Sequence, residues 1–256
     1  QVLPYPMDAG PKIRSYYVLR HLAQGHDVTL VCFMREADPP WGVDHLRTFC
    51  QRVLTVPMRR SRLRDGLALV RSLLTRQSFI IRRDDSAAMR ACLQDQVALT
   101  DFDVVHADQL WMAQYALYAY QARGETFQAR LVLDQHNAVH LIPQRLAGEA
   151  RNPLFRRFLE LEARRLALYE IETCHSFDHV VWVTRQDYDA VLARGMECSP
   201  DASPSITNTV IPICVDTGTV QPTPAVTEAP NVLFVGGMNW PPNLDGVRWF
   251  AGEIWP

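Results

Sequence analysis

Lysine is almost absent from this chain: among 26 basic residues in 256, all but Lys12 are arginine. The choice of arginine at any one position therefore says little, whereas local arginine density does. The basic residues face 28 acidic ones, for a net charge of −2, which removes any global electrostatic reason to expect nucleic-acid binding. No stretch approaches the roughly 18 consecutive apolar residues of a membrane span. Also missing are a G-x-S-x-G elbow and a Walker A lysine, which sets aside two common α/β enzyme classes, and the single glycine of the first loop supports no dinucleotide fingerprint. Six cysteines form no C-x-x-C pair and eight histidines form no H-E-x-x-H. No metal ligand and no cofactor is assigned, and the cysteines read as reduced core thiols of a cytoplasmic protein.

What is present is alternation. Apolar runs rich in β-branched residues at 27–33, 52–56, 103–106, 130–134, 179–184, 209–213 and 231–235 predict strands. Stretches of helical period at 12–24, 62–75, 86–99, 111–123, 152–174 and 186–194 separate most of them. Most of the strands are too apolar to face water on either side, so the pattern predicts an α/β fold, a parallel sheet with helices on both faces. In the 152–174 helix, Leu154, Phe158, Leu161, Arg165, Leu168 and Ile171 recur at three- and four-residue spacing, which marks a helical face.

Residues 1–215 read as one domain, 216–230 as a linker rich in Thr, Pro, Gly and Ala, and 231–256 as the first strand, turn and helix of a second domain. The last helix is expected to begin near Asn243 or Asp245. A strand-helix unit this short buries too little apolar surface to stand alone, and Val2-Leu3 reads as the end of a strand. The chain is therefore expected to be incomplete at both ends.

Four motifs carry chemical meaning. In PYPMDAGPKIR the turn at Gly10 leads into a helix whose N-terminal amides, with Lys12 and Arg14, suit an anionic or polyhydroxylated ligand; a plain strand-to-helix turn is the alternative. His136 in VLDQHNAVHL follows a buried parallel strand, where ligands of open α/β sheets collect; otherwise it is a satisfied loop residue. His106, Asp108 and Gln109 in DVVHADQLW sit at a second such strand end, which strengthens the first reading. Gly236 and Gly237 in VGGMNWPPNLDG precede a helix and permit close backbone approach to a ligand, or serve only a turn.

A separate feature is the basic stretch 59–83, with eight arginines against Asp65. Arg59, Arg60, Arg62 and Arg64 lead into an apolar-periodic helix, a pattern suited to an anionic membrane surface. The alternative is a solvated helix with its leucines on the core.

Taken in order, these strings resemble the family 4 type of GT-B glycosyltransferases, and in particular the bacterial exopolysaccharide subgroup with a W-P-P-N turn. The resemblance runs through the Gly10 loop, FDVVHADQLWMAQYA, VLDQHNAVHLIPQRLA, FDHVVWVTRQDYDAV, TVIPICVD and NVLFVGGMNWPPNLDGVRWF. It implies two Rossmann-like domains, an N-terminal acceptor side and a C-terminal nucleotide-sugar side, and transfer with retention at the anomeric carbon. His136 corresponds to the histidine contacting the transferred sugar, the Gly10 loop and Arg14 lie near donor phosphates and acceptor, and Gly236-Gly237 lie against the donor phosphate. Asp216 corresponds to a structural aspartate at the hinge.

This chain departs from the family pattern at Ile213-Cys214, in lacking a cation after Gly237, and in ending before the family's paired glutamates. The expected function is transfer of a sugar from a nucleotide-sugar donor to a saccharide or lipid-linked acceptor in cell-surface polysaccharide synthesis, at the cytoplasmic membrane face, with this chain alone inactive. The alternatives are a degenerate saccharide- or membrane-binding module and a nucleotide-sugar epimerase.

Overall fold

A computed structural model of the chain describes residues 2–58, 61–75, 77–124, 127–198, 206–213, 215–222, 232–238 and 241–255. The chain divides into two units, Gln1–Cys214 and Val215–Pro256.

In the first unit, helix α1 (Gly10–Leu22) precedes strand β1 (Thr29–Met34), helix α2 (Pro40–Leu46) and strand β2 (Arg52–Pro57). β1 and β2 pair in parallel from Thr29 opposite Arg52 to Met34 opposite Pro57. Val2 joins β1 through one parallel bridge to Phe33, and the Leu3 amide donates to the Phe33 carbonyl. Helices α3 (Arg62–Thr75), α4 (Phe79–Arg83) and α5 (Ala87–Leu99) follow. Then come β3 (Val104–Asp108), α6 (Leu110–Arg123), β4 (Arg130–Gln135), α7 (Leu141–Glu149), α8 (Pro153–His175), β5 (His179–Trp182), α9 (Arg185–Cys198) and β6 (Asn208–Val210). β3 to β6 form a parallel sheet in chain order, with Asp108 opposite Asp134 and Gln135 opposite Trp182.

Strand alternation divides the core. Phe33 and Val56 point into a cluster with Met89, Tyr115, Leu131, Leu133 and Trp182, so both groups of strands share it. Cys32 and Val53 point the other way, toward Tyr16 of α1 and Val43 and Leu46 of α2. This is the expected α/β architecture, parallel strands with helices on both faces, consistent with a Rossmann-like fold. Burial pushes the Cys32 thiol up to about 12 and the Cys50 thiol up to about 11, so both remain protonated and unreactive at neutral pH.

Three helices escaped the sequence pattern. α2 and α4 span too few residues for helical period to register, and α7 carries Pro143 in its first turn, where a missing amide is harmless.

Helix α8 forms where the spacing placed it, but the apolar recurrence as a whole is not what it buries. Leu154, Leu161 and Leu168 are exposed, and the inward face carries Leu159, Glu162, Ala163, Leu166, Glu170 and Ile171. Two glutamates lie inside because loop amides need acceptors there. Glu162 accepts from the Phe79 and Ile80 amides at 3.1 and 3.0 Å and from the Ser78 hydroxyl, capping α4.

In the second unit, helix α10 (Pro241–Trp249) runs on into a π-helical turn at Phe250–Ile254. It starts at Pro241 rather than at Asn243 or Asp245. The strand expected at 231–235 does not form over Val232–Val235, whose side chains are exposed; Asn231 lies outside the described residues. An apolar β-branched run becomes a strand only where a neighbour supplies ladder partners, and among the described residues none pairs with it. The strand expected at 209–213 similarly ends at Val210. Asp216 closes a turn, accepting from the Gly218 amide at 2.9 Å, and residues 223–230 of the expected linker lie outside the described residues.

Among the described residues no helix is long and apolar enough to cross a membrane.

Candidate functional site

The carboxyl ends of β3 and β4 lie side by side, and the register sets Asp108 beside Asp134. Side chains two apart on a strand share a face, so both aspartates project opposite to Ala107 and Leu133, toward α1. The crossover end of an open parallel sheet is where ligands collect.

Helix α1 supplies the counterparts. Arg14 Nε lies 3.1 and 3.0 Å from the two Asp134 carboxylate oxygens, Nη2 donates to Asp134 Oδ1 at 2.8 Å, and Nη1 donates to the Ile211 carbonyl at 2.9 Å. Planar guanidinium geometry makes such paired contacts specific. One helical turn binds the next carboxylate: Ser15 Oγ lies 2.6 Å from Asp108 Oδ2 and 2.7 Å from the Pro11 carbonyl.

His136 completes the cluster. Its Nε2 lies 2.8 Å from Asp108 Oδ1 and 3.8 Å from Asp134 Oδ2. The shorter approach departs from hydrogen-bond alignment, leaving both Nε2 and Asp108 Oδ1 buried without an aligned partner. Burial raises the Asp108 pKa, but the His136 and Ser15 contacts outweigh it and hold the carboxyl below its usual value.

The loop carrying His136 is held from below. Glu170 of α8, fully buried, accepts from the Val139 amide at 2.6 Å, the His140 amide at 3.1 Å and Gln135 Nε2 at 2.7 Å, and lies 2.6 Å from His140 Nδ1. Asp187 of α9 accepts from the Ala138 amide at 2.8 Å. A loop whose amides are gripped by acids from two helices is rigid, and rigidity is what a binding or reacting group requires.

Beside it, Gln109 has φ 72° and ψ 156°, the one positive φ outside glycine among the described residues. Its amide donates to the Asp134 carbonyl at 2.9 Å and its carbonyl accepts from Met112, which locks the strained residue between β4 and α6. Such strain concentrates at sites of function.

The other expected positions fall as follows. Gly10 is the first residue of α1, with open space where a Cβ would stand. Lys12 is buried, 3.1 Å from Asp8 and 3.6 Å from Asp38, so its charge is compensated within the chain. His106 is half-buried on β3 opposite Val132. In the second unit, a Cβ on Gly236 would stand 2.8 Å from the Phe234 ring and 2.9 Å from Asn243 Nδ2, so one of those side chains would have to shift, and the Gly237 carbonyl accepts from Asn243 Nδ2 at 3.1 Å. Arg59 and Arg60 lie outside the described residues; Arg62 and Arg64 are exposed at the start of α3.

Sequence reasoning passed over Ser15, Asp134, Glu170 and Asp187. Asp134 at the tail of RLVLD was the one signal available, a charge ending a run otherwise buried. Nor did the scattered histidines suggest a metal centre, yet Asp108, Asp134 and His136 place potential ligand atoms within 4.8 Å of one another. Arg14 already compensates Asp134, so a cation there would have to displace a buried guanidinium. The arrangement suits hydrogen bonding to a polyhydroxylated ligand better than it suits a cation.

Comparison with family models, with curated proteins and with solved structures finds no match to this chain.

Proposed function

We propose that this chain forms the acceptor-side domain of a retaining glycosyltransferase, transferring a sugar from a nucleotide-sugar donor to a saccharide or lipid-linked acceptor in cell-surface polysaccharide synthesis at the cytoplasmic membrane face. One observation carries the reading: His136 stands on a clamped loop at the end of β4, 2.8 Å from Asp108 and beside the first turns of α1. That is the place where the resemblance to family 4 GT-B enzymes puts a sugar-contacting histidine.

The chemistry asks for stabilisation of a departing nucleotide diphosphate and of an oxocarbenium-like sugar, without a covalent nucleophile assigned from this chain. The His136 ring would meet a hydroxyl of the transferred sugar, Asp108 would orient the ring, and the Gly10-loop amides would face the phosphates. In the full-length protein, nucleotide release is followed with a panel of nucleotide sugars and glycan acceptors. His136→Ala is expected to slow transfer at least tenfold, about 1.4 kcal/mol. An unchanged rate removes His136 from the site, and product formed without acceptor turns the reading toward an epimerase.

A second reading has its own support. Lys12 and Arg14, the cations expected near the donor phosphates, are engaged by Asp8, Asp38 and Asp134. A saccharide-binding module without turnover needs no such charge, and glycan binding without nucleotide release would favour it.

A further inference from the structure

The alternative for α3, an apolar face lying on the core, is not what the fold shows for Leu63, Leu67, Val70 and Leu74. Leu63, Leu67, Val70 and Leu74 recur at steps of four, three and four residues, and are 83, 61, 53 and 80% exposed. The inner side of the helix is fixed by Ser72, which is buried and donates to the Gln77 carbonyl at 2.7 Å while Arg165 of α8 donates to it at 3.1 Å. At 3.6 residues per turn the leucine stripe lies roughly opposite Ser72, pointing straight away from the protein. A contiguous apolar stripe of this kind, left outside by the fold, marks an interaction surface.

Arginines edge the stripe and line a cavity. Arg64 and Arg71 occupy the same flank of α3, and with Leu67, Asp65, Met58 and Arg82 they enclose a space of about 200 Å³ at the carboxyl end of β2. Four arginines and three aspartates line it in all. Two of the aspartates are already paired, Asp84 with Arg83 at 3.6 Å and Asp85 with Arg90 at 2.6 Å, which leaves Asp65 alone against Arg64, Arg71 and Arg82, an excess of positive charge. Arg64, Arg71 and Arg82 have no carboxylate partner among the described residues, and Arg82 Nε is buried without a hydrogen bond. Leu67 belongs to both features, so the apolar stripe and the basic cavity are continuous.

We propose that α3 docks this protein on an anionic phospholipid surface, with the leucine stripe entering the acyl boundary and Arg64, Arg71 and Arg82 holding a headgroup phosphate in the cavity. Charge and apolarity select this occupant together. A soluble phosphate would leave the leucines in water, and an uncharged apolar partner would leave the excess positive charge of the cavity unanswered. The proposal shares its membrane setting with the transferase reading but none of its chemistry, so vesicle binding and sugar transfer stand or fall separately.

The test is sedimentation of the whole chain with phosphatidylcholine vesicles, with and without phosphatidylglycerol, at low and high salt. Binding is expected only with phosphatidylglycerol, weakening with salt. Arg64→Gln with Arg71→Gln is expected to weaken it roughly thirtyfold, Leu67→Gln with Leu74→Gln to abolish it, and Arg82→Gln to reduce the preference for phosphatidylglycerol. The two pairs are exposed and should leave the circular-dichroism spectrum unchanged, which separates docking from folding. Binding indifferent to the arginine pair, or equal on neutral vesicles, overturns the proposal. So does binding of glycerol 1-phosphate without vesicle binding, which makes the cavity a soluble-phosphate site. Self-association broken by the leucine pair, again without vesicle binding, makes the stripe a contact between copies and likewise overturns it.

Discussion

Arg14 and Asp134, 120 residues apart in sequence, meet as a buried ion pair in which the guanidinium spans both carboxylate oxygens. The pair fastens α1 to the end of β4 and, through the Ile211 carbonyl, to the segment after β6.

Removing one member leaves the other charge buried and uncompensated. Arg14→Met is therefore expected to lower unfolding free energy by about 3–5 kcal/mol. Replacing both, as Arg14→Met with Asp134→Leu, should recover much of that loss, because neither residue then carries a buried charge. Urea denaturation of the two variants checks this, and a double variant no better than the single one would show that the pair does more than compensate itself.

Asp108 links stability to acidity. Its carboxyl is held below the usual value by His136 and Ser15 against the opposing effect of burial. A carboxylate with a depressed folded-state pKa contributes stability that is fully present above its unfolded value, about 3.9, and is lost as pH falls through the folded one. The expected outcome is an Asp108→Asn variant less stable than the parent at neutral pH, with the difference shrinking below about pH 4. Urea midpoints across that range report it; a difference constant with pH would disconnect Asp108 from the effect.

Gln109 offers a test of strain. Its dihedral angles belong to a region that glycine alone occupies freely, at a cost of order 1–3 kcal/mol for other residues. Gln109→Gly is expected to raise stability by about 1 kcal/mol, somewhat less than the strain because glycine gains freedom in the unfolded chain. If the side chain serves the site, ligand binding should fall in the same variant. A thermal melt together with a binding isotherm separates the two.

Periodicity carried much of the architecture. Strands β1 to β5 and helices α1, α3, α5, α6, α8 and α9 stand within a few residues of where apolar pattern places them, because burial on one or both faces leaves a period in the chain. That His136, Asp108 and Gln109 stand at strand ends was legible from position alone, since each lies at or just past the close of an apolar run. Glu170 was not: within α8 it looks like any solvent-facing glutamate, and its four contacts come from the end of β4 and the loop after it, 30 or more residues earlier.

The order of strands and helices, the amphipathic character of 62–75 and the concentration of arginine around it were decided by local composition, which any neighbour sees alike. Which side chains meet was decided only by tertiary structure. The β3–β4 register sets Asp108 beside Asp134, α1 brings Ser15 and Arg14 to them, and α8 turns two glutamates inward. The leucines of α3 show the same division. Their spacing announces an apolar face, but whether that face meets the core or the surroundings depends on what the rest of the chain leaves uncovered, and period holds no record of that.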